Sequence, residues 1–475
     1  MRRGQLSIQV IIFAVVAMIF ISGFVLWAAS FLQSTVRNFN KLLAFSVAEA
    51  GIEYYRWHLA HAPLDFEDGT GGPGPYVHNY YDKDGTPLGA FSLEITPPSV
   101  GSTLVTIEST GTVLADPTVA KAIRVRLGIP SFAIYALIGN ENLRIASGTT
   151  AFGRVHSNGG VRFDGKAWNV VTSARTEYDD PTHSGGEEFG VHTHQSPTDP
   201  LPPNPLPPRP DVFVAGRTFP VPAVDFDSVT GDLAAIKTTA QTSGYYRAAS
   251  GALGYHVVLK TDDTFDLYRI DKLLKKPPGC TPIQSQDDWD TWTIDTETLL
   301  EAVPFPANGL VFLEDEAWVD GQIDTARLTI AVGSFPETAE TSRSITVNKN
   351  LRYTNVNGDD VIGLLAQKNV NIGLVSENNL RIDAALVAKS GRFGRFHYRP
   401  EGSQGQGGCQ PYHTRELLET FGMVATNKDL QVNYEDNTGY LTWIFRYDAN
   451  LLYRPPPFFP LVGTGYEQIS WEEVK

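Results

Sequence analysis

The hydropathy pattern opens with a stretch that has almost no polar positions. From Gly4 to Val36 no residue is charged, and Leu6 to Leu32 is nearly all apolar, long enough as a helix to cross a hydrocarbon core of about 30 Å. Farther on the apolar positions narrow to a stripe: Leu43, Val47, Ala50, Tyr54 and Trp57 recur every three or four residues, while Lys41, Glu49, Glu53 and Arg56 fall elsewhere. A single helix from about Gln5 to Ala60, on the order of 80 Å long, accommodates both patterns. Its first half would lie in lipid and its second half against folded protein.

After residue 61 the period changes from 3.6 to 2. Phe91–Thr96, Thr103–Glu108 and Ala122–Leu127 are short β-type runs between Pro, Gly and Ser clusters, which predicts a small sheet within 61–128. Farther on, Asn142-Leu143-Arg144-Ile145 followed by Phe152-Gly153-Arg154-Val155-His156 is echoed by Asn379-Leu380-Arg381-Ile382 followed by Phe393-Gly394-Arg395-Phe396-His397. Between them lie further β-prone runs broken by Asn or Gly, such as Val361–Ala366 and Val370–Ile372. Closely spaced runs of this kind suit a parallel β-solenoid, in which each coil buries its apolar face only by stacking on the next. An antiparallel sandwich is the alternative. The solenoid would occupy 129–178 and 305–400, with 179–304 as an inserted α/β segment and 401–475 as an aromatic and Pro-rich cap. The insertion is marked by eight prolines among residues 197–210, a density that favours an extended connector. The predicted fold class is therefore mainly β, with a long N-terminal helix, a small sheet and a parallel solenoid.

Composition adds little to the fold and more to the function. Lys plus Arg is 38 against 53 Asp plus Glu, a net charge of −15, with no basic run; nucleic acid is excluded as a partner on that ground. Arg2 and Arg3 precede the apolar run, so the positive-inside bias predicts a single-pass chain in the cell membrane with its N-terminus in the cytoplasm and its bulk outside. A cleaved secretory signal is the alternative, but the apolar run is longer than such signals use.

Arg2-Arg3-Gly4-Gln5 ahead of this helix resembles a type IV prepilin leader, and Ala48-Glu49-Ala50-Gly51-Ile52-Glu53 resembles the signature ending the N-terminal helix of PilX-type minor pilins. The segments Pro304–Phe312, Ala317–Gly321, Asp383–Ala388 and Pro455–Pro460 resemble blocks of large PilX-like pilus-assembly proteins with a β-helical ectodomain. The resemblance implies a leader at residues 1–4, cleavage between Gly4 and Gln5 by a prepilin peptidase, and a filament helix over 5–60 carrying Glu49, Ala50, Gly51 and Glu53. It also implies partnership with other pilins, with membrane lipid before assembly, and with a surface carbohydrate or protein ligand. Gln9 would then take the fifth mature position, where major pilins carry Glu. Gln9 offers hydrogen bonds but no countercharge, which suits a minor subunit better than a bulk one.

Cys280 and Cys409 are the only cysteines. In an exported ectodomain they are a disulfide candidate, with two buried thiols as the alternative. His183, Glu187, Glu188, His192 and His194 gather in a Gly-rich loop and include metal-ligand types, but with no helix or strand expected to hold them the reading assigns no metal and no cofactor. A membrane-anchored β-helix enzyme acting on polysaccharide is the alternative function, with Glu314, Asp315, Glu316, Asp320, Asp359, Asp360 and Asp383 as candidate acids. These read as solvated loop charges, and no nucleophile elbow, P-loop or zincin motif occurs. The expectation is a filament subunit with no catalytic residues.

Overall fold

A computed structural model describes residues 3–99, 101–181, 185–226, 228–282, 286–400, 408–434, 436–463 and 465–474. The protein is mainly β, with one long N-terminal apolar helix, Arg3–His61. The chain divides into two compact units. The first comprises residues 1–98, 104–128 and 465–475, and the second 99–103 and 129–464.

In the first unit the second half of the helix lies on a five-stranded antiparallel sheet, ordered Tyr76–Tyr81, Pro87–Thr96, Val105–Val113, Asp116–Gly128 and Glu467–Val474. Along Val105–Val113 every second residue is buried, the alternation of a sheet with one covered face. The fifth strand returns from the far end of the chain to pair with Asp116–Gly128, a long-range partnership that local periodicity does not reveal. On this strand Glu472 receives Arg124, which also holds Glu108 at 2.8 Å.

The helix face that meets the sheet differs from the expected stripe. Ala44, Val47, Ala48, Gly51, Ile52, Tyr55 and Leu59 are buried, whereas Trp57 is 60% exposed and Leu43, Ala50 and Tyr54 are half-buried. The reason is close approach. A Cβ on Gly51 would overlap Ser109 Oγ and crowd the Phe91 ring, and a Cβ on Gly111 would overlap the carbonyl oxygen of Ala44. Small residues on both surfaces bring the backbones together, so the contact selects Ala44, Ala48 and Gly51 over larger neighbours.

The second unit is built on ladders of parallel strands. One runs through Tyr245–Arg247, Leu310–Leu313, Arg327–Val332, Val361–Ala366, the second half of Asn379–Ala388, the end of Thr414–Thr426, Leu137–Gly139, Val155–Ser157, Val171–Ser173 and Arg217–Thr218. Its register aligns Val311, Ile330, Leu364, Leu386, Val424, Leu137, Val155 and Val171 in one buried column. The central strands also bury residues on their other face, among them Phe312, Ala331, Leu365, Val387, Ala425 and Ile138, which is why they read as continuous apolar runs. A second ladder runs from Tyr255–Leu259 through Ala317–Ile323, Leu351–Tyr353, Asn379–Ala388, Thr414–Thr426, Gly439–Tyr447 and Thr150–Phe152 to Lys166–Ala167.

The ladders do not follow chain order. Leu137–Gly139 lies between Thr414–Thr426 and Val155–Ser157, so the first strands of this unit pair with nearly its last. The segment 179–304 contributes Arg217–Thr218, Tyr245–Arg247 and Tyr255–Leu259 to the ladders, together with helix Ser228–Ser243 and the antiparallel pair Thr264–Leu273 and Ile294–Pro304. The echoed motifs occupy different neighbourhoods: Leu143–Ile145 pairs with Val161–Phe163, and Asn379–Ile382 with Leu417–Thr420. Stacked asparagines do occur, Asn427 and Asn158 both reaching Asn140.

Candidate functional site: the apolar helix and the exposed chemistry of the second unit

The first functional feature is the free half of the helix. Between Ile8 and Leu42 the large apolar side chains, including Phe13, Phe20, Leu26, Trp27 and Phe31, are exposed on every side. The segment is long and apolar enough to cross a membrane, and its most apolar window buries nothing within the chain. A helix that is apolar all round requires lipid or other protein as its solvent. Gln9 is exposed within this apolar segment, while Gly4 and Gln5 lie at the start of the same helix.

The proposed signature residues sit where the helix changes character. Gly51 touches the sheet, Ala50 is half-buried beside it, and Glu49 and Glu53 point to solvent, Glu53 pairing with Arg56 at 2.7 Å. The tip of the helix is tied down by a local network. His58 Nε2 meets Asp65 at 3.1 Å, the Tyr55 hydroxyl donates to the Asp65 carbonyl at 3.0 Å, and His78 meets Asp68 at 2.7 Å. Burial, reinforced by Asp65 and Asp68, drives the Tyr55 hydroxyl far above the ordinary phenol range, so it remains a donor.

In the second unit a disulfide joins Cys280 to Cys409, with Cα atoms 4.5 Å apart. It is packed with Leu374, Phe396 and Tyr398.

The acids considered for catalysis do not gather in one place; each has its own structural partner. Glu314 takes Lys237 and the Tyr246 hydroxyl, and Asp315 accepts from Ser250. Asp320 pairs with His256 at 2.8 Å, and Asp359 with Arg454 at 3.2 Å. Asp360 accepts the backbone N–H of Asn355, and Asp383 that of Tyr353. Glu316 accepts from the Ser344 N–H at 2.9 Å, yet burial pushes its carboxyl up to about 7. Several of these groups are buried rather than solvated. Asp360 and Asp383 have no exposure and Asp315 only 6%, and each accepts a backbone N–H from another segment of the chain.

Sequence reasoning missed a groove of about 770 Å³ whose walls include Arg144, Asp164, His397, Asp429, Tyr434 and Asp436. His397 stacks on Tyr434 with ring centroids 3.9 Å apart, and its Nε2–H donates to Asp436 Oδ2 at 2.9 Å. Burial pushes Asp429 up to about 6. No sequence pattern marks these residues, since they arrive from segments almost 300 positions apart.

Of the histidine loop, His183 lies outside the described residues. Glu187 is exposed, while His192 and His194 converge on Asp180, and Glu188 lies 3.4 Å from His194. Contrary to the expectation that nothing holds them, Glu188 sits on the strand Glu188–Phe189, paired with Glu177–Tyr178, and His192 on Val191–His192, paired with Val161–Phe163. Strands of two residues leave no periodic trace. The His-x-His spacing, which returns both rings to one side of an extended chain, was the available signal.

No protein-family model matches this chain, and no curated protein matches it. Among solved structures, the crystal structure of the competence-associated pilin ComZ from Thermus thermophilus is similar over 91% of this chain and 97% of that one, at 12% identity and a TM-score of 0.31. Superposition at that level assigns neither the details of the fold nor a role.

Proposed function

We propose that this chain is a minor pilin-like subunit of a type IV pilus system. It is anchored by its N-terminal helix with the bulk outside the membrane, and it displays a parallel β-solenoid ectodomain for filament assembly and surface adhesion. The observation that carries the reading is the division of helix Arg3–His61 into an apolar half that no part of the chain covers and a half locked to the sheet through Gly51 and Gly111. A plain anchor needs only the first half. A helix continuous from bilayer into a packed domain can leave lipid and pack among sister helices without refolding, exchanging one apolar surround for another. On this reading prepilin peptidase cuts after Gly4, Gln9 lowers the demand for a charged neighbour, and membrane lipid surrounds the helix before assembly.

The test is the N-terminal mass of the protein from cells with and without prepilin peptidase. A chain beginning at Gln5 only when the peptidase is present supports the proposal; a chain retaining Met1 in both overturns it.

One observation favours a second reading, a membrane-anchored surface enzyme acting on polysaccharide. Asp429, with its raised carboxyl, lines the groove of about 770 Å³ beside His397 and Asp436, where a carboxyl that keeps its proton under mildly acidic conditions could donate it to a leaving group. Polysaccharide cleavage that is lost in Asp429→Asn would support this reading; binding without cleavage would leave the groove as an adhesion surface.

A further inference from the structure

We propose that Asp180, Glu188, His192 and His194 form a site for one divalent transition metal of the zinc class in the second unit, independently of any role in a filament. The donor atoms of Asp180, His192 and His194 all lie within 4.8 Å of one another. His192 Nε2 stands 3.6 Å from Asp180 Oδ2, and His194 Nε2 stands 3.4 Å from Glu188 Oε1. Ligand atoms on a tetrahedral zinc with bonds of about 2.0–2.1 Å are separated by roughly 3.4 Å, so these two pairs stand close to the spacing that a small cation requires. The four side chains are nearly sealed from water, with 5%, 2%, 0% and 14% exposure for Asp180, Glu188, His192 and His194.

The hydrogen bond made by the His192 ring indicates what lies between these groups. Nδ1 reaches the carbonyl oxygen of Phe189 at 3.3 Å. A carbonyl only accepts, so Nδ1 carries a proton and, in the neutral ring, Nε2 presents a lone pair. This is the tautomer and backbone support typical of a metal-bound histidine. Nε2 makes no hydrogen bond of its own and faces a carboxylate oxygen, so two electron-rich atoms confront each other and call for a cation between them. Arg162 Nη1 stands 3.7 Å from the same Asp180 oxygen, but a guanidinium has only donors and its contact with Asp180 leaves the His192 nitrogen unmet.

The frame around the cluster is built. The backbone N–H of His194 donates to Asp164 Oδ1 at 2.7 Å, Arg162 Nε holds Asp164 Oδ2 at 2.7 Å, and the Thr193 N–H donates to Asp199 at 3.0 Å. Two imidazoles with two carboxylates favour a borderline metal such as Zn²⁺ over Ca²⁺ or Mg²⁺, which prefer all-oxygen sites. With four protein donors the site would be structural, clamping the Glu177–Phe189 hairpin to the strand Val191–His192.

The experiment uses the full chain, purified in detergent without a histidine tag, stripped with chelator and titrated with zinc by calorimetry, with metal content measured after desalting. The expected result is one zinc per chain, a rise in Tm on adding zinc, and an X-ray absorption signature of two imidazoles. His192→Ala and His194→Ala should each weaken zinc binding by roughly 100-fold, and Glu187→Gln should leave it unchanged. If a histidine variant does not fold, Asp180→Asn, which preserves shape, is expected to weaken binding at least about 10-fold. A folded wild-type chain that takes up no stoichiometric zinc, or folded His192→Ala, His194→Ala or Asp180→Asn variants that bind as wild type does, would overturn the site.

Discussion

Two halves of one helix follow different rules. From Ile8 to Leu42 the large hydrophobic side chains are exposed in all directions; from Ala44 to Leu59 a single face is buried, and it is lined by small residues as well as large ones. The first half is specified by bulk hydropathy, which tolerates exchange of one apolar residue for another. The second is specified by distance of approach, which does not tolerate a single added methyl at Gly51 or Gly111. The difference places solubility in lipid and orientation of the domain in separate residues of one continuous rod.

The largest effect should come from charging the free half. Ile19→Arg with Phe20→Arg is expected to cost roughly 5–7 kcal/mol of membrane insertion at the helix centre, read as loss from the membrane fraction, while the thermal unfolding of the sheet unit stays unchanged. Next is Gly111→Val, whose side chain would meet the Ala44 backbone rather than a movable side chain; about 3 kcal/mol of stability should be lost, with insertion unaffected. The face assignment is sharpened by a pair. Leu59→Ala should cost about 3 kcal/mol, whereas Trp57→Ala, at the position the hydropathy stripe favoured, should stay within about 0.5 kcal/mol. Denaturant titration of the full chain in detergent separates them.

A pH control belongs to the second unit. The Glu316 carboxyl is raised to about 7, so between roughly pH 4.5 and 7 the folded state binds more protons than the unfolded one. Stability therefore falls as pH rises through that window and levels off above it. Glu316→Gln should remove that slope, gaining about 3 kcal/mol relative to wild type at pH 8 over pH 4, with neither helix half affected.

Hydropathy alone revealed the helix and its length, because an uncharged run and a 3.6-residue period are local properties. It misplaced the packed face because Leu43, Tyr54 and Trp57 outweigh Ala44, Ala48 and Gly51 in apolar size, while the sheet selects for proximity. The β-prone runs were legible one by one. Their order in the ladders was not, since nothing in Leu137–Gly139 indicates that its neighbour is Thr414–Thr426, nor in Glu467–Val474 that it completes a sheet begun almost 400 residues earlier. The histidine cluster was half legible: His192 and His194 stand out, but Asp180 joins them only through a hairpin of two-residue strands.

The account rests most heavily on the uncovered half of the helix serving as an assembly surface. The direct measurement is in vivo cross-linking of a Val16→Cys variant, followed by shearing of surface filaments and quantification of the chain in the sheared and membrane fractions. The account predicts cross-linked adducts with other pilin helices and recovery in the sheared filaments. Recovery solely in the membrane fraction, with no adduct through position 16, would contradict it.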